Sequence, residues 1–114
     1  MNWNDELNTA NQNLDALRAA HPDAGKGFST LHHATMKAGA LSAKEKEFLA
    51  IAIGIHGQCI DCIGFHVRAG IKVGMTRHEL AEVIGVTMMM GGGPAFMYGA
   101  KALEAFDQFT APAT

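Results

Sequence analysis

Glycine and proline residues divide this 114-residue chain into six segments, each of a length typical of one α-helix. The breaks fall at His21 and Pro22, at Gly39, Gly57 and Gly74, and at residues 91–94. Because both residue types disfavour helix interiors, this punctuation favours short helices joined by tight turns. No segment shows the alternation of a β-strand over a useful length. The sequence therefore predicts an all-α bundle of about six helices, a single domain over residues 1–114.

Apolar residues recur at helical spacing and predict which helix faces are buried. The first segment carries one stripe at alternating spacings of four and three, made of Trp3, Leu7, Ala10, Leu14 and Leu17. The inward positions predicted for the second segment are Phe28, Leu31, Thr35 and Met36. Those of the sixth segment are Phe96, Leu103 and Phe106. Residues 48–55 are apolar almost all round, so we expect the third helix to be central and buried.

Two of the predicted helices begin with a capping box, in which a hydroxyl and a carboxylate three residues apart satisfy free backbone amides. Ser42 and Glu45 form the first box, ahead of the third helix. Thr76 and Glu79 form the second, ahead of the fifth helix. These pairs predict where two of the helices start.

The charge balance excludes several classes of partner. The net charge is −2 and no run of basic residues occurs, so we expect neither a nucleic-acid groove nor a membrane-surface patch. No apolar run approaches the roughly 18 residues that a bilayer-spanning helix needs. The first residues, MNWNDELN, lack the layout of a signal peptide, so the expected compartment is the cytoplasm.

The chain's two cysteines, Cys59 and Cys62, lie close to a histidine, His66. On one helix the three side chains share a stripe, with Cys62 and His66 one turn apart. A neighbouring imidazole increases the thiolate population of a cysteine, and the thiolate is the nucleophile. Cys59, near the helix amino terminus, also feels the positive end of the helix dipole. The pattern therefore predicts a reactive dithiol able to close a disulfide across one turn.

Two other interpretations of the cysteine pair remain open. His56, Cys59, Cys62 and His66 are all zinc-ligand types, but the histidines are about 15 Å apart along one straight helix, too far for a single ion. A kink at Gly57 brings His56 nearer without closing the site. Alternatively, both cysteines are small buried hydrophobes and His66 is a satisfied core histidine.

Glu47 is a candidate general base, twelve residues before Cys59. If the third and fourth helices pack antiparallel across Gly57, Glu47 can face the turn that carries Cys62 and His66. A desolvated carboxylate holds a proton more readily, which suits a base. On spacing alone, a solvated residue in the KEKE first turn is the stronger interpretation.

The remaining histidines give weaker signals. His32 and His33 are adjacent and face different sides of a helix, so we expect one to pack and the other to be exposed, with no site between them. His56 is a candidate wall residue of a pocket beside the dithiol.

Residues 43–109 resemble the carboxymuconolactone decarboxylase family, specifically its AhpD-like alkylhydroperoxidase branch. The resemblance rests on the motif Glu47-x11-Cys59-x2-Cys62-x3-His66 and on three segments: LSAKEKEFLAIAIG, VRAGIKVGMTRHELAEVIGV and MGGGPAFMYGAKALEAF. Residues 1–40 look like a helical lead-in to this core.

The resemblance implies an AhpD-like helical bundle that forms a homo-oligomer, commonly a trimer or hexamer. We expect no cofactor and no metal. The resemblance also implies a peroxidase or disulfide-reductase activity in which Cys62 attacks the peroxide and Cys59 resolves the sulfenic acid to a disulfide. Glu47 and His66 would relay the proton. A lipoyl-bearing or thioredoxin-like protein would then restore the thiols.

One residue departs from the AhpD-like pattern, which has a histidine between the cysteines where this chain has Asp61. A negative charge beside Cys62 disfavours the thiolate unless Asp61 points to solvent. Two functions of other classes therefore stay open: a non-enzymatic redox-sensing or helical assembly protein, and a zinc-binding module.

Overall fold

The structure, a computed structural model that describes residues 1–112, consists of six α-helices. They are α1 (Trp3–Ala20), α2 (Pro22–Met36), α3 (Ala43–His56), α4 (Ile60–Lys72), α5 (Arg77–Gly91) and α6 (Gly93–Thr110). The predicted all-α class and the number of helices are confirmed. Within this described part, no helix combines the length and the apolar composition needed to cross a bilayer.

Both predicted capping boxes are present. The Ser42 hydroxyl accepts from the Glu45 amide at 3.0 Å, and the Glu45 carboxylate accepts from the Ser42 amide at 2.8 Å. Thr76 and Glu79 repeat the arrangement at the start of α5. Lys44 also bonds the Glu79 carboxylate at 2.9 Å, and this contact is the main reason that the pKa of Glu79 lies below its usual value. The starts of α3 and α5 are therefore tied together.

The core lies between α3, α4, α5 and α6. Ile51 and Ile55 of α3 and Ile63 and Val67 of α4 are fully buried, and Leu80 covers them from α5. The chain turns from α3 into α4 at residues 57–59, where Gln58 has a φ of +56°. This short turn places the two helices side by side. The cysteine-bearing end of α4 therefore lies against α3.

The first helix packs on this core through its first two turns. The indole nitrogen of Trp3 donates to the Glu104 carboxylate at 2.7 Å, and the backbone amide of Trp3 donates to the Gln108 side chain at 2.8 Å. Trp3 and Leu7 lie directly over Gly64 of α4, where a Cβ atom would come within 2.8–3.0 Å of both side chains. The absence of a side chain at Gly64 is what lets α1 approach α4 so closely.

Several apolar positions predicted to face inward are exposed. Trp3, Leu7 and Ala10 are buried as predicted, but the stripe fails beyond them, since Leu17 is 62% exposed. The second helix has no buried residue, and Phe28 is 72% exposed. The prediction for these positions was wrong because a stripe is buried only where another element covers it, and α2 has few such neighbours.

The third and sixth helices are also less enclosed than their composition predicts. Leu49 and Ile53 lie on an open face of α3, so this helix is buried on one side and not all round. On α6, Phe106 is buried as predicted, whereas Phe96 is exposed. The described chain therefore carries a large amount of uncovered apolar surface.

Replacing Gly64 with alanine is expected to loosen α1. The new methyl group would collide with Trp3 and Leu7, and overpacking of this kind costs about 1–3 kcal/mol of unfolding free energy. The matched control is Gly85→Ala, an exposed mid-helix site in α5 with open space around its Cβ position. That change should stabilise the protein by roughly 0.5–1 kcal/mol. Denaturant unfolding of both variants checks this, and an equal response at the two sites would contradict the close packing of α1 on α4.

Candidate active site

The two cysteines form a disulfide at the start of α4, with their Cα atoms 5.2 Å apart. Cys59 is the N-cap residue and has an extended backbone, so α4 begins at Ile60, one residue later than predicted. The Cys59 sulfur also accepts a hydrogen bond from the Cys62 amide at 3.3 Å. The helix amino terminus therefore points its free amides at this sulfur, which favours negative charge on it after reduction.

The two sulfur-bearing residues differ in accessibility. Cys62 is exposed and Cys59 is half-buried. Cys62 is therefore the more accessible of the two cysteines.

Glu47 and His66 are in direct contact. The Nδ1 atom of His66 lies 3.1 Å from Oε2 and 3.4 Å from Oε1 of Glu47. Glu47 is only 6% exposed, which contradicts the interpretation that it is a solvated first-turn residue. A neutral His66 that donates from Nδ1 to this carboxylate keeps Nε2 free as a proton acceptor. One helical turn separates this imidazole from Cys62.

The position of Glu47 follows from the periodicity of α3. Glu47, Ile51, Gly54 and Ile55 share the face of the helix that is buried. The last turn of α3 lies against α4, and the Cβ position of Gly54 in that turn is 3.5 Å from the Cβ atom of Cys62. The helix face that carries Glu47 is therefore the one that packs against the cysteine-bearing helix.

Asp61 faces α1 rather than solvent. Its Oδ1 atom is buried and has no hydrogen-bond partner among the described residues. A hydrogen bond with Asp61, and then repulsion from its charge, raises the pKa of Glu6 on α1. Glu6 of α1 is therefore an acidic neighbour of the residue between the two cysteines, and no local sequence pattern predicted it.

His56 lies against the end of α5. It is exposed at the end of α3, and its Nδ1 atom lies 3.0 Å from the Cβ position of Gly91 at the end of α5. The cavity that His66 lines does not include it.

That cavity is a groove of about 390 Å³ beside α2. Its lining residues are Phe28, Leu31, His32, Thr35, Met36, Ala50 and His66. The ring of His32 lies 6.2 Å from the ring of His66, measured between centroids. The expectation that one of His32 and His33 packs was wrong, because both are exposed; the placement of α2 brings the His32 ring next to His66.

A zinc site receives no support from this arrangement. Among residues 1–112, no group of three or more histidine, cysteine, aspartate or glutamate side chains is arranged to hold a metal ion.

Glu6→Gln is expected to stabilise the protein at neutral pH. The pKa of Glu6 is higher in the folded state than in the unfolded state. At pH values between these two pKa values, the folded state therefore binds more protons than the unfolded state. The free energy of unfolding consequently falls as pH rises through that interval. A glutamine donates to Asp61 without ionising, so it removes this loss. Thermal unfolding across pH should show a gain that appears above the usual glutamate pKa and is absent below it.

The control for this prediction is the same change in an Asp61→Asn background. If the interaction with Asp61 raises the pKa of Glu6, Glu6→Gln has little effect once Asp61 is neutral. A pH-dependent gain of equal size in both backgrounds would show that the two carboxyl groups are not partners.

Comparison with known sequences supports the family assignment. Residues 22–105 match the carboxymuconolactone decarboxylase family, a range that takes in α2. The chain is 38% identical over 105 residues to an uncharacterized protein of Cupriavidus necator, covering 92% of this chain and 93% of the relative. It is 32% identical over 81 residues to uncharacterized protein 4 in the cox locus of Paracoccus denitrificans, covering 71% and 73%.

Comparison with solved structures gives the same result. The apo form of a carboxymuconolactone decarboxylase family protein from Legionella pneumophila superposes with a TM-score of 0.92 at 41% identity, over 96% of this chain and 97% of that one. A Thermotoga maritima family protein, for which a part in the antioxidative response has been suggested, has the same fold with a TM-score of 0.80 at 21% identity, over 90% and 88%. The chain therefore belongs to the carboxymuconolactone decarboxylase family.

Proposed function

We propose that this protein is a thiol-dependent oxidoreductase of the AhpD-like type, which reduces hydroperoxides or disulfides through Cys59 and Cys62. The observation that carries the proposal is the buried contact between Glu47 and His66, one helical turn from an exposed cysteine that pairs with a second one. A buried carboxylate that holds an imidazole in one tautomer is the arrangement by which proteins make histidine a directed base.

The first step is deprotonation and attack. His66 takes the proton of the Cys62 thiol, and the Glu47 carboxylate stabilises the imidazolium through Nδ1. The thiolate attacks the terminal oxygen of the hydroperoxide and the O–O bond breaks. Cys62 becomes a sulfenic acid, and the leaving alkoxide takes up a proton equivalent to the one removed, so the products are a sulfenic acid and an alcohol.

The second step is resolution. The Cys59 thiol attacks the Cys62 sulfur, the S–O bond breaks and water leaves, which yields the Cys59–Cys62 disulfide. A dithiol donor, a lipoyl-bearing or thioredoxin-like protein, returns the pair to thiols by exchange and is itself oxidised. A disulfide substrate enters at the same exchange step.

The exposed apolar surface supports a homo-oligomer, which we propose to be a trimer or hexamer. Five residues near the junction of α5 and α6 are between 60% and 75% exposed: Val86, Met89, Met90, Phe96 and Met97. Large apolar side chains exposed in this number on two successive helices are typical of a protein interface.

Cys62→Ser is expected to abolish peroxide consumption, and Glu47→Gln to slow it roughly 10- to 100-fold, as expected when a functional histidine loses the carboxylate that orients it. The amide cannot hold an imidazolium, so the pH dependence of the rate should change as well. The measurement is hydroperoxide-dependent loss of two thiols per chain, and then turnover with dihydrolipoamide.

The matched control is Glu82→Gln, since Glu82 is an exposed carboxylate on α5. A kinetically silent Glu47→Gln would contradict the relay. Stoichiometric thiol oxidation without turnover would instead favour the redox-sensing function. Zinc that is retained through purification and lost together with the fold on chelation would favour the metal-binding function.

Sedimentation tests the proposed assembly. At micromolar concentration the protein should sediment as a multiple of the 12.1 kDa chain mass, three- or sixfold, because association covers the exposed apolar side chains. A stable 12.1 kDa species would contradict the proposal.

A further inference from the structure

His32 is an exposed histidine that faces the site histidine across a groove. The centroids of the His32 and His66 rings are 6.2 Å apart, with an angle of 40° between the ring planes. Both rings line the same groove, so one small molecule bound there can contact both histidines.

The neighbouring His33 has a different environment. Its Nδ1 atom lies 2.8 Å from the carbonyl oxygen of Ser29, one turn earlier in α2. It also lines a different concavity from the one that His32 and His66 share. Two adjacent histidines of the same helix thus differ in whether they face the site.

The rest of the groove is apolar. Phe28, Leu31 and Met36 of α2 form one wall, and Ala50 of α3 lies on the other side. Its volume of about 390 Å³ lies within the range of small-molecule sites. Because Phe28 and Leu31 are mostly exposed, a ligand with an apolar part would remove their side chains from water.

We propose that this groove holds the organic part of the hydroperoxide and that His32 is the acid that protonates the leaving oxygen. The inference rests on the proposed peroxidase function. On this proposal α2 contributes to the site, although the motif around Cys59 and Cys62 contains no residue of α2.

The proton balance of the step closes with two imidazoles. His66 receives the proton of the Cys62 thiol, and a protonated His32 gives its own proton to the alkoxide that leaves when the O–O bond breaks. The products are a sulfenic acid on Cys62 and an alcohol. Release of one proton from His66 to solvent and uptake of one proton by His32 from solvent then restore both histidines.

The exposure of His32 to solvent suits its role as the acid. His66 is largely enclosed and bonded to Glu47, with 24% of its side chain exposed, so it is suited to accepting a proton from the adjacent thiol. His32 reaches solvent and exchanges protons with buffer without moving any packed element. Small soluble imidazole can also enter such an open groove, and this makes the role testable by rescue.

The test compares His32→Gln with His33→Gln in the full chain. Pre-reduced protein is mixed with tert-butyl hydroperoxide, and the rate constant for loss of the two thiols is measured in a single turnover. His32→Gln should lower this rate constant about tenfold or more, and added imidazole should restore most of it. His33→Gln should stay within about twofold of wild type and show no response to imidazole.

The groove is tested by Leu31→Gln, with Leu17→Gln as its control. The two leucines are equally exposed, at 61% and 62%, but only Leu31 lines the groove. Leu31→Gln should lower the rate constant with cumene hydroperoxide several-fold and leave that with hydrogen peroxide unchanged. Leu17→Gln should alter neither.

The possible results separate this inference from the function on which it rests. If wild-type protein oxidises no thiols with any hydroperoxide, the proposed peroxidase activity and this inference both fail. If wild type reacts but His32→Gln behaves like His33→Gln, or imidazole restores nothing, His32 is not the acid. If Leu31→Gln lowers the rate constants with both peroxides equally, or lowers neither, the groove does not bind the organic part of the hydroperoxide.

Discussion

The contact between Glu47 and His66 is the constraint on which the rest of the site depends. A carboxylate that is almost fully buried is costly unless a charged or hydrogen-bonded partner accompanies it, and the His66 ring is that partner. The contact requires α3 and α4 to lie side by side, which the short turn at Gly57 enforces. The same packing brings Cys62 against Gly54 of α3. Burial of one charge thus selects the helix arrangement that also positions the dithiol.

The first helix acts on the same site from the opposite side. It is anchored by the bond from Trp3 to Glu104 and by the close approach of Leu7 to Gly64. From there Glu6 lies beside Asp61, the residue between the cysteines, and the interaction with Asp61 raises the pKa of Glu6. The charges near Cys62 therefore depend on the docking of α1 as well as on the packing of α3 against α4.

Local signals in the sequence predicted local structure well. The glycine breaks and the two capping boxes gave the helix count and starts because their physics acts within one turn. Glu47 needed the family resemblance, since spacing alone favoured a solvated residue. Contacts between distant segments were out of reach: nothing in the local pattern pairs Glu6 with Asp61 or brings His32 to His66. The exposed stripe of α2 was misjudged because periodicity describes a helix face but does not say whether a neighbour covers it.

The Cys59 sulfur has two roles, because it forms the disulfide with Cys62 and also caps the amino terminus of α4. A thiolate accepts amide hydrogen bonds more strongly than a disulfide sulfur does. Reduction of the pair would therefore tighten the first turn of α4, and oxidation would leave its amides less well satisfied. The strength of the hydrogen bonds in that turn therefore depends on whether the two cysteines are reduced or oxidised. Amide hydrogen exchange there would report the oxidation state of the protein without any chemical label on sulfur.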